Sequence, residues 1–278
     1  MRSTSQSLRE YARGVAGGLL FSLPLLYTME VWWAGFTSHP WRLAGYVLAT
    51  FVLLLGYNNY VGLRHDSCFA EVVIDSVEEM GLGLLVAALV LWLLGRVTLD
   101  ASPAEALGQI VVEAMTVAVG VSVGTSQLGA GGDEEDRGVG ETRGRQGAAG
   151  FGGQVVIALC GAVLFAANVA PTEEIVQIAV EVSAWRLLGL ALLSLALGAL
   201  ILYYSEFAGS QKFVRFDRRH DVPVGAVVTY AVALASSALI LWFFGRFDGQ
   251  ASAVCLAQTV VLGVAATLGA SAGRLLLQ

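Results

Sequence analysis

Charge is scarce in this chain. Of its 278 residues only 14% are Asp, Glu, Lys or Arg, against about 25% in an ordinary soluble domain. Lysine is almost missing, since Lys212 stands alone and every other basic side chain is an arginine. With 56% hydrophobic residues and a mean hydropathy of +0.70, the chain has more apolar surface than a water-soluble fold can bury. The same composition excludes intrinsic disorder, which needs low hydrophobicity and high charge. The net charge of −6 leaves no basic stripe to neutralise phosphates, so no nucleic-acid partner is expected. Cysteine is rare too: Cys68, Cys160 and Cys255 show no CxxC spacing, which gives no support to a thiolate metal site or a disulfide framework. They read as small buried hydrophobes. No cofactor is implied. What remains is an all-α membrane protein whose first partner is the lipid bilayer.

A spanning helix needs about 20 apolar residues. Eight stretches qualify: 14–35, 42–60, 73–95, 104–124, 152–171, 185–205, 222–245 and 252–274. The first follows Arg2, Arg9 and Arg13, but it is too long for a signal h-region, contains Glu30 and is followed by no A-x-A-like site, so it reads as a retained helix. Placing both termini in the cytoplasm puts 12 Arg and Lys residues inside and 4 outside, in keeping with the positive-inside rule. All six tryptophans then fall at the outer boundary. Residues 127–151 are Gly-rich and contain Asp133-Glu134-Glu135-Asp136 with Arg137, Arg143 and Arg145. They read as a flexible cytoplasmic linker between a first unit, 1–126, and a second, 152–278.

The two units resemble each other. Thr28-Met29-Glu30 matches Thr172-Glu173-Glu174, and Trp41-Arg42-Leu43-Ala44-Gly45 matches Trp185-Arg186-Leu187-Leu188-Gly189, both at an offset of 144. ALVLWLLGR, ending at Arg96, matches ALILWFFGR, ending at Arg246. Gly120-Val-Ser122-Val-Gly124 matches Gly269-Ala-Ser271-Ala-Gly273. Four helices per unit is an even number, so both units enter from the same side. The expected architecture is two parallel four-helix repeats about a pseudo-two-fold along the membrane normal, an arrangement recurrent among transporters. The length, the helix pattern and the segment Asn168-Val-Ala-Pro171-Thr172-Glu173-Glu174 together resemble a family of bacterial integral membrane proteins of unknown function with about eight transmembrane helices. That resemblance implies a bacterial plasma membrane location and carries no mechanism.

Ionisable groups inside a membrane are costly, and by default they point to function. Glu30 and Glu174 lie late in outward-running helices, with Glu173 beside the latter. Asp75, Glu78 and Glu79 lie early in the third helix. With Glu71 they recur at i, i+4, i+7 and i+8, on one helical face. Arg64, His65, a bound cation or a solvated cytoplasmic face would relieve their repulsion. Glu113, half-way along the fourth helix, is the best candidate by depth, and at that depth a carboxyl group must hold a proton or find a partner. Its counterpart in the second unit is Leu262, so the acidic chemistry belongs to the first. Pro171 after Asn168 suggests a broken helix whose freed backbone groups coordinate an ion or simply end the helix. Glu30, Asp75, Glu78, Glu79, Glu113, Asn168, Glu173 and Glu174 thus outline a path for a small cation or proton. The competing reading is structural: Glu30 pairs with Arg42 and Glu174 with Arg186, or Thr172 caps a short helix.

Two further patterns have bland explanations. G-x-S-x-G at Gly120–Gly124 and Gly269–Gly273 imitates a hydrolase elbow, but it lacks the strand-turn-helix setting and the histidine such an elbow requires. As G-x-x-x-G it is a packing motif, and the fourth and eighth helices are expected to meet there. Trp92-x-x-Gly95-Arg96 and Trp242-x-x-Gly245-Arg246 read as interface anchors, and the basic residues Lys212, Arg215, Arg218 and Arg219 as contacts to anionic lipid. The functional expectation is a transporter or channel for a small cation, not an enzyme. The alternative is a non-transporting sensor, scaffold or assembly factor. Either is compatible with a homo-oligomer, and the metal, if there is one, is unknown.

Overall fold

The computed structural model describes residues 4–60, 69–98, 100, 102–129, 151–207 and 221–276. Every regular element among these residues is a helix. In chain order they are α1 (Thr4–Leu26), α2 (Met29–Thr37), α3 (Pro40–Tyr60), α4 (Phe69–Leu93) and α5 (Pro103–Gly129), then α6 (Phe151–Ala167), α7 (Glu173–Glu181), α8 (Ala184–Phe207), α9 (Asp221–Phe243) and α10 (Ser252–Leu276). Most of the 127–151 linker lies outside the described residues. So do Arg64, His65, Cys68 and the basic run from Lys212 to Arg219, which carry much of the expected orientation.

Local chemistry accounts for several boundaries. α3 and α5 open on Pro40 and Pro103, where a missing N–H costs nothing because the first turn has no acceptor for it. α4 and α9 close on one device. Gly95 and Gly245 adopt φ of 69° and 70°, a left-handed conformation that glycine enters without steric cost. The Arg96 N–H then reaches back to the Leu91 carbonyl at 2.8 Å, and the Arg246 N–H to the Leu241 carbonyl at 2.9 Å. Gly95 and Gly245 donate to the Trp92 and Trp242 carbonyls. This pair of bonds is a Schellman closure, and it is what the Trp-x-x-Gly-Arg sequence builds in each unit.

Among the described residues six helices are long and apolar enough to cross a membrane: α3, α4, α5, α8, α9 and α10. Two of the eight expected spans take another form. The stretch 14–35 is not one helix, because α1 stops at Leu26, α2 begins at Met29, and the two are bent by 87°. Pro24 is the local cause, since it cannot donate to the carbonyl one turn back. Taken as one broken span, the pair makes a seventh. The stretch 152–171 is shorter than expected, because α6 has 17 residues and ends at Ala167. A turn containing Pro171 and the nine-residue α7 follow it. The described residues therefore hold six or seven candidate spans, against the eight stretches counted from hydropathy.

α5 is the hub of the first group, packing on α1, α2, α3 and α4, and α10 packs likewise on α6, α7, α8 and α9. Glycine permits the closest approaches. A Cβ on Gly17 of α1 would lie 2.8 Å from the Gly120 carbonyl oxygen and closer still to Gly124. Gly161 of α6 faces Gly269 and Gly273 of α10 in the same way. Gly35 of α2 lies against Gly108 and Gln109 of α5. Lipid tails are as apolar as the side chains, so such contact dispersion, and not the hydrophobic effect, holds spanning helices together. The glycines of the fourth and eighth expected helices therefore do not close on each other. Each hub takes the glycine-bearing first helix of its own group. The groups meet where α6 packs on α3, α5 and α1, around Leu54, Tyr57, Val123, Cys160 and Leu164.

Candidate functional site

Glu113 projects from a stretch of α5 on which Val112, Ala114, Met115, Thr116 and Val117 are all buried. It is itself wholly buried. Neither of its carboxyl oxygens has a hydrogen-bond partner among the described residues, whereas buried polar groups in proteins almost always do. Tyr46 of α3 lies within electrostatic reach. Its ring stacks on Phe243 with centroids 4.2 Å apart, and its hydroxyl is 2.9 Å from the Thr116 hydroxyl. Thr116 is one turn beyond Glu113 on the same face of α5.

A second carboxylate lies further along the same helices. Glu79 of α4 accepts a hydrogen bond from the Asn58 side-chain amide of α3 at 2.8 Å. The same amide group donates to Ser76 Oγ at 3.1 Å. Ser122 of α5 donates to Asn58 Oδ1 at 3.1 Å and also lies beside Glu79. Asn58, Ser76 and Ser122 are buried and Glu79 is half-buried. Nearby, the Tyr57 and Ser126 hydroxyls are 2.6 Å apart. Glu78 is exposed, so the acids of α4 divide. Glu79 turns into the bundle and Glu78 turns away, while Asp75 and Glu71 are engaged by other groups. The single four-acid face expected from their spacing is not what forms.

Polar side chains recur where α3 packs on α5. The Tyr46–Thr116 pair lies near Glu113, the Asn58–Ser122 bond lies at the level of Glu79, and the Tyr57–Ser126 pair lies one turn beyond it, while Thr50 of α3 is buried between Tyr46 and Tyr57 in sequence. Glu113 and Ser122 are nine residues apart, about 13.5 Å along a helix axis, close to half the ~30 Å hydrocarbon core. The matching positions of the second unit hold Leu262, Thr229 and Ser271, all buried and none ionisable.

The outer candidates are arranged differently from the hairpin pairs expected. Arg42 does not turn to Glu30. Its two terminal nitrogens hold Asp248 at 2.8 and 2.9 Å, because Asp248 follows the Gly245 closure and is carried across to the start of α3. Arg42 also lies 5.6 Å from the ring centres of Trp41 and Trp242. Its hydrogen bonds hold the Asp248 carboxyl below the usual carboxylate range. Arg246, not Arg186, takes an acid of α7: it donates to Glu173 at 2.7 Å and to the Pro171 carbonyl. Neither Glu30 nor Glu174 has an ion pair among the described residues, and Glu174 is exposed. Thr172 occupies the N-cap of α7 without a side-chain cap bond. Its hydroxyl donates to the Val169 carbonyl instead.

Asn168 is committed to backbone. Its Oδ1 accepts from the Leu25 N–H at 2.9 Å, and its Nδ2 donates to the Phe21 carbonyl at 3.0 Å and the Leu164 carbonyl at 2.5 Å. Phe21 and Leu25 are the two groups an unbroken α1 would pair with each other. The amide of one unit thus binds backbone groups of the other on either side of Pro24, just before the bend. That leaves it little capacity to ligate an ion.

Sequence reading missed Tyr46, Thr116, Asn58, Ser76 and Ser122 as companions of the two carboxylates. A signal was present in the Asn58-Asn59 pair within an apolar span, and in the serine of Gly-Val-Ser-Val-Gly. Among the described residues no group of three or more His, Cys, Asp or Glu side chains is placed to hold a metal ion. Residues 10–277 match a sequence family described as putative integral membrane protein, DUF2391. No curated protein and no solved structure matches the chain.

Proposed function

The chain belongs to the DUF2391 family of integral membrane proteins, and from that premise we propose that it is a transporter or channel for a small cation. The observation that carries this reading is Glu113, wholly buried with both oxygens unpartnered. A carboxyl group inside a spanning helix is costly, and the second unit manages with Leu262 at the matching place. A group so expensive and so poorly satisfied structurally is retained for what it binds or releases. Glu79, held by Asn58 and Ser122, is the second station of the path. The remaining acids of α4 and Glu30 act as approaches to it, and no enzymatic step is assigned.

In this reading the two helix groups are parallel four-helix repeats, each with a short helix added, about a pseudo-two-fold along the membrane normal. The matched Schellman closures and the matched roles of α5 and α10 support it. The arginine distribution supports a bacterial plasma membrane location with both termini cytoplasmic. A second reading, a non-transporting scaffold or sensor, is favoured by the ion pairs Arg42–Asp248 and Arg246–Glu173, which serve structure alone.

The test is flux into vesicles reconstituted with the purified protein, for H⁺, Na⁺, K⁺, Mg²⁺ and Ca²⁺ in turn. At least one cation is expected to move, and Glu113→Gln is expected to bring its rate down to that of empty vesicles. If no cation moves, the scaffold reading replaces this one.

A further inference from the structure

Resting on the transport reading above, we propose that the species handled at Glu113 is the proton itself, with the Tyr46 hydroxyl as its relay partner and Glu79 as the far station. The donor set decides between a proton and a metal cation. A bound Ca²⁺ or Mg²⁺ needs six or more oxygen ligands, supplied by several side chains, carbonyls or waters. Glu113 offers two oxygens and no second carboxylate comes with it, because among the described residues no acid cluster fit for a metal exists. Its hydroxyl neighbours, Tyr46 and Thr116, are already paired with each other. The surrounding positions on α5 are Val112, Ala114, Met115 and Val117, which have no side-chain oxygen to give. A proton needs only one acceptor atom, and Glu113 supplies it.

The relay follows from what each neighbour can do. A hydroxyl can accept one proton on its oxygen while it releases its own, so it passes charge on and ends neutral. Tyr46 and Thr116 form such a pair within electrostatic reach of Glu113, and the buried Thr50 of α3 and Ser122 of α5 follow along the two helices towards Glu79. Glu113 makes no hydrogen bond to the pair in this structure, so its side chain rotates to reach the pair and releases its proton there; one hydroxyl proton leaves the pair on the far side towards Glu79, and Glu113 is reprotonated from the tryptophan-bearing end. Nothing is oxidised or reduced. Asn58 and Ser122 are positioning residues, holding Glu79 at the inner end of this line.

Two measurements on the full chain test the proposal. The first is labelling of the purified protein with dicyclohexylcarbodiimide, which attacks protonated carboxyl groups in apolar surroundings, read by peptide mass spectrometry. Label is expected on Glu113 in the wild type and at no new position in Glu113→Gln. The second is decay of an imposed pH gradient in proteoliposomes containing a pH dye. Wild type is expected to dissipate it, Glu113→Gln to hold it as empty vesicles do, and Tyr46→Phe, which keeps the ring on Phe243, to slow it. Glu105→Gln, at the exposed start of α5, is the unaffected control. Flux of Na⁺, K⁺, Mg²⁺ or Ca²⁺ that depends on Glu113 while the pH gradient persists overturns the proton proposal and leaves the transport reading standing. An unlabelled wild-type Glu113, or Tyr46→Phe decay equal to wild type, also overturns it. Absence of flux of any ion removes both readings together. Because the label is read on the wild type, a variant that fails to fold leaves the first measurement intact.

Discussion

Replacing Glu113 by Leu should make the protein more stable and inactive at once. The magnitude follows from the bonds Glu113 does not make. A buried polar group without a hydrogen bond costs roughly 1–3 kcal/mol on mutational scales, and both oxygens here are unpartnered among the described residues. No compensating bond is broken by the change, and leucine is what the chain itself uses at the wholly buried matching site, Leu262. Glu113→Leu should therefore raise the unfolding free energy by about 1–3 kcal/mol, less any strain from the branched side chain. Glu113→Met, unbranched like the native residue, separates that strain from the polar effect. Unfolding is followed in mixed micelles by helical circular dichroism across a denaturant series, and cation flux is followed in parallel in vesicles. A gain in stability with loss of flux is the signature of a residue kept for function at structural cost. If both variants are destabilised by 1 kcal/mol or more, on the order of one lost hydrogen bond, Glu113 has a structural partner and the reasoning from its isolation is wrong.

Three other outcomes are expected. Asn168→Ala should destabilise by roughly 1–3 kcal/mol, because the Leu25 N–H and the Phe21 carbonyl lose the amide that joins them to α6; the same unfolding series measures it, and an effect within error would mean the two groups are satisfied without it. Gly161→Leu should cost more than any surface change, since its side chain would meet the Gly269 and Gly273 backbone, and resistance of the variant to heat-induced aggregation would contradict that packing. The Arg42–Asp248 pair should add stability that is fully present above the ordinary carboxylate range and disappears as pH falls through the lowered value of folded Asp248. Both partners touch solvent and are screened, so the amount is at most about 1 kcal/mol; Asp248→Asn should remove that part of the pH dependence of the melting temperature and leave the neutral-pH fold intact.

Membrane class and most helix positions were legible because apolar length is a property of each segment alone. The nine-letter repeat ending at Arg96 and Arg246 was legible for the same reason, but it reads as an interface anchor, and its role as a helix closure appears only in the structure. What escaped the sequence depends on geometry between segments. Pro24 marks a weak point in α1, but neither the 87° size of the bend nor the Asn168 amide that binds α1 just before it can be read from that proline. Arg42 stands 12 residues from Glu30, which suggests a pair, yet the fold delivers Asp248 from the other unit. Glu113 was visible by its depth, whereas its hydroxyl neighbours on α3 were not, since Tyr46 and Thr50 look like ordinary residues of a spanning helix until α3 is laid on α5. The glycines of α5 and α10 announced close packing without naming the partner, because small side chains accept any neighbour.

The Asn168 amide also sets an order of events during synthesis. The groups it joins in α1 lie 143 and 147 residues earlier in the chain. Until Asn168 is made, the Leu25 N–H and the Phe21 carbonyl lack this partner, although Pro24 and the packing of α2 on α5 already favour the bend. The hydrogen bonds that tie α1 to the second unit are therefore the part of the bend's support that comes last.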